Sequence, residues 1–439
     1  MLQDGFGLDV ATDDPKVIAA VNDFTQGFLR YETRAADVLK AAGADCALVN
    51  AYCAVLFLFS EAPDGPEKAR PHLEAAYGQS AGLTEREAFT LDYVTSWSAC
   101  QEVGDYRPLL ALGEDARKRF PGDLVLMKLH QYHCFNVGDA PAMLRAAQAA
   151  FKARPRLPQV HGMLAFGYEQ CHWLVEAEAA ARTALALEKK EPWAQHALAH
   201  VMLTQGRISE GAHFLEGVED TWSGLNSFML THLWWHRALF YISLGRFEDA
   251  LDVYDYHTLN AEPSYTQDQV GAVALLARLE LAGVDIADRW IPLGELLKTR
   301  SSDVVLPFLT LQYLYGLAKA GRREAQMLMD RINTARGDVW QKVTKPAGRA
   351  LLAHAHGDHD SAFENMLTAL PRLLEVGGSH AQRDLFDQIL LDAAIKSQRW
   401  VAAQQMIETR RQYDPTSVPL AIMRAQVNQA LGLEEVGPV

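Results

Sequence analysis

Cysteine is scarce in this chain. Its five residues, Cys46, Cys53, Cys100, Cys134 and Cys171, form no C-x-x-C, so neither a disulfide scaffold nor a zinc ribbon is expected. Basic residues are outnumbered: 41 Lys and Arg stand against 55 Asp and Glu, a formal charge of −14. That balance argues against a phosphate-binding surface and against docking on anionic membrane, so neither nucleic acid nor membrane is expected as a partner. Long apolar runs are missing too. The most apolar stretch, from about Cys46 to Phe59, is shorter than the roughly 20 residues of a spanning helix. Met1–Gly5 lacks a basic-then-apolar leader, and a reducing, cytoplasmic setting is the expectation. There is no Walker loop and no G-x-G-x-x-G after a strand, so no nucleotide cofactor is expected. Alternating Val, Ile and Thr nowhere persist for more than a few residues, which excludes a sheet protein.

What is present is globular composition, 49% apolar and 22% charged, arranged as a repeat. A small turn recurs after each long apolar helix: Gly104-Asp105-Tyr106, Gly138-Asp139-Ala140, Gly206-Arg207-Ile208, Gly245-Arg246-Phe247 and Gly357-Asp358-His359, with Gly283 and Gly321 between. Gly104 to Gly138 is 34 residues, and Gly138 to Gly206 is 68, with His172 at the midpoint in place of a glycine. Gln398-Arg399-Trp400 continues the signal without the glycine, and Gly27 and Gly65 extend it backwards. Each unit reads as helix, turn, helix. The second helix carries small residues (Ala177, Ala250, Ala362 and Ala403, then Ala116, Ala150, Ala184 and Ala369), and Pro121 and Pro155 close their units. Small residues let helices approach, and proline stops a helix. The pattern resembles the tetratricopeptide repeat, best between residues 91 and 255. The expectation is an all-α superhelix of about ten or eleven antiparallel helix pairs, one continuous array over 1–439. Cys46–Phe59 is a buried helix in it, and Gly432–Val439 a frayed tail.

In such repeats the first helix of each pair lines the groove. The groove positions of this sequence hold His196, His200, His232, Trp235, Glu169, Gln170 and Tyr132. Filling space does not call for such a set; a site does. His196 and His200 are four apart and share a helix face; an idle, exposed pair is the alternative. His232 and His236 repeat that spacing, and two such pairs on neighbouring helices have the form of a transition-metal site. Against it, His236 falls where the repeat turns a side chain toward helix packing, and no H-E-x-x-H is present. The expectation is therefore that no metal is held and that His236 belongs to the core. Asp268, near the start of its helix, either reaches the groove beside His232 or serves the helix dipole.

A second block is Gly377-Gly378-Ser379-His380-Ala381-Gln382-Arg383-Asp384. Ser379 and Gln382 have capping-box spacing. The same helix start suits an anion, with His380 and Arg383 as donors, Gln382 beside them, and Asp384 placed to orient His380. Ser379 is a poor nucleophile candidate, since no strand and no G-x-S-x-G surround it.

Together with His196-Ala197-Leu198-Ala199-His200, Asn226-Ser227-Phe228 and His232-Leu233-Trp234-Trp235-His236, this block closely resembles the tetratricopeptide repeat protein 38 family, as a bacterial member. The resemblance implies a cytosolic tetratricopeptide-like superhelix and no settled activity. Two places depart from the family pattern. Phe308-Leu309-Thr310-Leu311-Gln312 stands where an F-x-D-x-H is usual, and His130-Gln131-Tyr132-His133 where a His-Asp pair is expected.

Two functions fit these residues. One is a small organic or anionic ligand held in the groove. If the site is catalytic, the chemistry is metal-free acid–base chemistry of hydrolase or lyase type, with His196, His200, His380 and Asp384 as the reacting groups. Tyr132, Glu169, Gln170, His232, Trp235, Asp268, Gln382 and Arg383 then bind the ligand. The other is an adaptor holding a peptide or protein partner. Polar groups that differ from unit to unit favour the first. No cofactor is expected, and oligomerisation is left open.

Overall fold

The computed structural model describes residues 1–259 and 261–434. The tail expected from Gly432 lies outside the described residues from 435 onward. The described residues contain 22 α-helices in succession, and the fold is the expected all-α, tetratricopeptide-like array of antiparallel helix pairs. One small difference stands at the N-terminus. Leu2–Gln3 and Asp9–Val10 pair antiparallel, Leu2 opposite Val10. The Asp4 carboxylate accepts from the Phe6 and Leu8 amides at 2.9 Å and closes the loop between them. Two residues per strand are too few for an alternation signal.

Helix starts follow the sequence. Asp123 and Asp139 each accept from an amide three residues on, at 3.0 and 2.9 Å. These contacts satisfy orphan donors of the first turn. Helix ends follow the glycines: Gly104, Gly138, Gly206, Gly245, Gly283, Gly321 and Gly357 all have left-handed φ. His172 and Gln398 adopt the same conformation, φ 58° and 59°, at the two places where the spacing calls for a glycine and the sequence lacks one. The backward extension fails. Gly27 lies inside the helix Pro15–Arg30, and Gly65 begins the helix Gly65–Gly78. The left-handed residues of that region are Tyr31 and Glu61, which carry no glycine signature.

The small residues of the second helices do what their spacing implies. Ala116, Ala150, Ala177, Ala184, Ala250, Ala369 and Ala403 are fully buried. The apolar stretch after Cys46 is the helix Ala47–Leu58, buried along most of its length. It packs with the helices Pro15–Arg30 and Glu85–Val103 in one apolar core.

Two compact units divide the chain. Unit one comprises residues 1–198 and 220–229, and unit two residues 199–219 and 230–439. In unit one, helix pairs run from Glu85–Val103 with Arg107–Arg119 to Pro158–Gln170 with Leu174–Leu187. Unit two includes Thr266–Leu281 with Trp290–Leu297, Pro307–Lys319 with Glu324–Thr334, and His380–Lys396 with Trp400–Arg411. No helix among the described residues is long and apolar enough to cross a membrane.

Candidate functional site

Unit two gathers imidazoles. His200 comes from the last turns of the helix Pro192–Thr204, and His232 and His236 from one face of the helix Ser227–Ser243. All three are buried, at 0, 9 and 0% exposure. The His236 ring lies 4.5 Å from that of His200 and 4.7 Å from that of His232, centroid to centroid. His232 stacks flat on Trp235 at 5.3 Å and 7°. Burial, and then the neighbouring His200, push the His232 imidazolium down to about 3. It is therefore neutral at physiological pH.

The second sequence block reaches this cluster. His380, the first residue of the helix His380–Lys396, lies 5.5 Å ring to ring from His200. Its Nε2 is 3.0 Å from the Thr204 hydroxyl. Arg278 ties the two blocks together. Its guanidinium lies 5.2 Å over the Trp235 ring and donates to the carbonyl oxygens of Ala381 at 2.8 Å and Gln382 at 3.3 Å. Burial lowers this guanidinium to about 10, which leaves it charged at neutral pH.

The remaining residues of the block have roles of their own. Ser379 and Gln382 form the capping box, with the Ser379 amide donating to Gln382 Oε1 at 2.9 Å and the Gln382 amide to Ser379 Oγ at 3.2 Å. The Arg383 guanidinium donates to the Gly377 and Gly378 carbonyls. Asp384 does not orient His380. It accepts from both terminal nitrogens of Arg410, at 2.6 and 3.1 Å, and from Gln388 at 2.7 Å. Burial alone would raise this carboxyl, but Arg410 and Arg278 outweigh it and hold it at about 2. Asp268 is fully buried and accepts from the Thr231 hydroxyl at 2.9 Å.

Other candidates belong to unit one. His196, one turn before His200 on the same helix, is 2% exposed and packs against Trp193 at 4.6 Å and Phe166 at 5.2 Å. The Tyr132 hydroxyl donates to Glu61 at 2.5 Å. Glu169 is fully buried and accepts from Gln170 at 2.6 Å. A surface cleft of about 340 Å³ lined by Gly5, Phe6, Arg154, Pro155, Arg156 and Leu157 holds none of the candidate residues.

Two participants were not singled out from sequence: Thr204 and Arg278. Arg278 carries a signal, being the lone cation in the apolar run Val270–Leu279. His236 was placed in the core by repeat position, and it is buried, but its ring faces two other imidazoles.

No family model matches this chain. Human IFIT1, as a dimer with m7Gppp-AAAA, is similar over 98% of this chain and 97% of its own, at 12% identity and a TM-score of 0.44. The IFIT1 dimer with PPP-AAAA gives 0.42 at 12% identity, over 99% and 98% of the two chains. Naa15/Naa10 bound to HypK-THB gives 0.25 at 15% identity, over 95% of this chain and 66% of that one. The acidic balance had excluded nucleic acid as a partner. With capped and triphosphate RNA on IFIT1 chains among the similar structures, that exclusion is withdrawn.

Proposed function

We propose that this protein is a helical-repeat binding module that holds a small anionic organic ligand at the imidazole cluster of unit two. The supporting observation is the approach of two blocks 180 residues apart in sequence, His200 and His380, to 5.5 Å. Imidazoles donate to or accept from a ligand near neutral pH according to their protonation. Trp235 backs His232 as a flat apolar support, and Arg278 over its ring supplies fixed positive charge in a region of low dielectric. In this reading His200 and His380 contact the ligand, His232 is held against Trp235 as a neutral donor or acceptor, and any acid–base step uses His200 or His380. Asp384, paired with Arg410, takes no part in contacting the ligand.

Native mass spectrometry of the purified chain against its denatured mass is the first test. An excess mass of a few hundred daltons that disappears in His200→Ala and His380→Ala supports the reading. Thermal-shift and calorimetric titration with small carboxylates and phosphates follow, with a 5′-triphosphate RNA oligonucleotide in the same panel. If both variants bind every ligand as the parent does, the cluster is not the site.

A further inference from the structure

We propose that His200, His232 and His236 hold a divalent transition-metal ion of the zinc class. The inference deepens the proposed function and rests on it in one respect: with the ion bound, His200 is its ligand and His380 is left to contact the small anion. One ring nitrogen from each residue lies within 4.8 Å of the others. All three rings are buried on two helices of unit two. Zinc–imidazole bonds are about 2.0–2.1 Å long, and rotation about the terminal ring torsion, which is broad for histidine, closes the three nitrogens onto an ion. Imidazole suits zinc, copper and nickel, whereas calcium and magnesium need oxygen ligands.

His380, 5.5 Å ring to ring from His200, borders the three imidazoles.

Another group of potential ligands in unit two, His354, His359 and Asp392, is spoken for. His354 is bonded through Nδ1 to the Tyr315 hydroxyl at 3.0 Å and through Nε2 to Asp392 at 2.8 Å. Lys396 pairs with the same carboxylate at 2.9 Å. Those groups form a closed hydrogen-bonded chain.

The test uses the full-length chain without an affinity tag, treated with a chelator, reloaded with zinc or cobalt(II) and desalted. The expected result is one zinc per chain by plasma mass spectrometry and ligand-field absorption from the cobalt form. His236→Gln weakens zinc binding at least about tenfold, since even groups supporting metal ligands cost about 10–100-fold when lost. The exposed His356→Gln leaves binding unchanged. His236→Cys serves if the glutamine variant fails to fold: a thiolate-to-cobalt charge-transfer band places that position on the ion. Zinc retained no better by the parent than by the triple variant His200→Gln, His232→Gln, His236→Gln overturns the proposal, as does a cysteine variant without the band. A small anion bound by a chain that takes up no zinc overturns this proposal and keeps the proposed function. Zinc bound with no small anion does the reverse.

Discussion

Lys128 and Glu191 show how much a single buried charge matters in this chain. Lys128 is 6% exposed, and its ammonium lies 4.1 Å over Tyr31 and 4.9 Å over Trp193. Glu191 is 1% exposed, accepts from the Ala194 amide at 2.5 Å, and occupies the space that a side chain at Gly162 would need. Burial drives both groups toward neutrality, and each opposes the shift of the other. Removing one of two interacting buried charges exposes the desolvation cost of the other. Lys128→Met and Glu191→Gln are each expected to cost about 2–3 kcal/mol in urea unfolding, and the double variant less than their sum by about 1 kcal/mol. Strictly additive losses would show that the two charges are independent. Residue types were readable from sequence where periodicity pairs them, as at His196 with His200 and His232 with His236. They were unreadable where the partner comes from a distant helix. Nothing in sequence joins Asp384 to Arg410, and the nearer His380 was the natural but mistaken choice.

The turn after each helix decides which elements could be read in advance. A left-handed residue strains any side chain by about 1–2 kcal/mol, so glycine marks the place. That mark gave the helix boundaries from Gly104 to Gly357 and the substituted turns at His172 and Gln398. It misled at Gly27 and Gly65, because glycine also serves close helix packing and helix starts. At Gly27 a Cβ would lie 2.6 Å from the Ala35 amide nitrogen. The strain at Gln398 is removable. Gln398→Gly is expected to stabilise the protein by about 1 kcal/mol, read as a raised midpoint in urea, and a lowered midpoint would mean that the glutamine side chain earns its conformation. The capping box gives a second prediction at this scale. Ser379→Ala removes an acceptor for the Gln382 amide and is expected to cost about 1 kcal/mol. Ligand binding by the folded variant should be unchanged. A loss of binding without loss of stability would move Ser379 from helix capping to the site.

For the whole molecule, acid stability depends on two opposed sets of buried and half-buried groups. Burial lowers His130, His133 and His257. Such a group binds its proton more readily unfolded, so its contribution is full above an unfolded value of about 6.5 and is lost as pH falls toward the folded value. Burial raises Asp387 to about 6, with Asp384 adding to the effect, and raises Asp4 and Asp414 as well. Their contribution is full below about pH 4 and is lost as pH rises through the folded value. Between about pH 4 and 6.5 the two sets work against each other. Below that range the balance breaks. The raised carboxyls have nothing further to give, and the most depressed histidines are still losing. Asp384, held at about 2 by Arg410 and Arg278 against burial, loses its advantage as pH falls through its folded value, and so do Asp392 and Glu114, which their basic and histidine partners also lower. The urea midpoint is therefore expected to change little from about pH 6.5 to 4.5 and to fall steeply below about pH 4. A series of unfolding curves at half-unit pH steps decides it. A midpoint that drops steadily from pH 6.5 would mean that the histidines act without opposition, and that the half-buried carboxyls at Asp387 and Asp414 are fully solvated in the native protein.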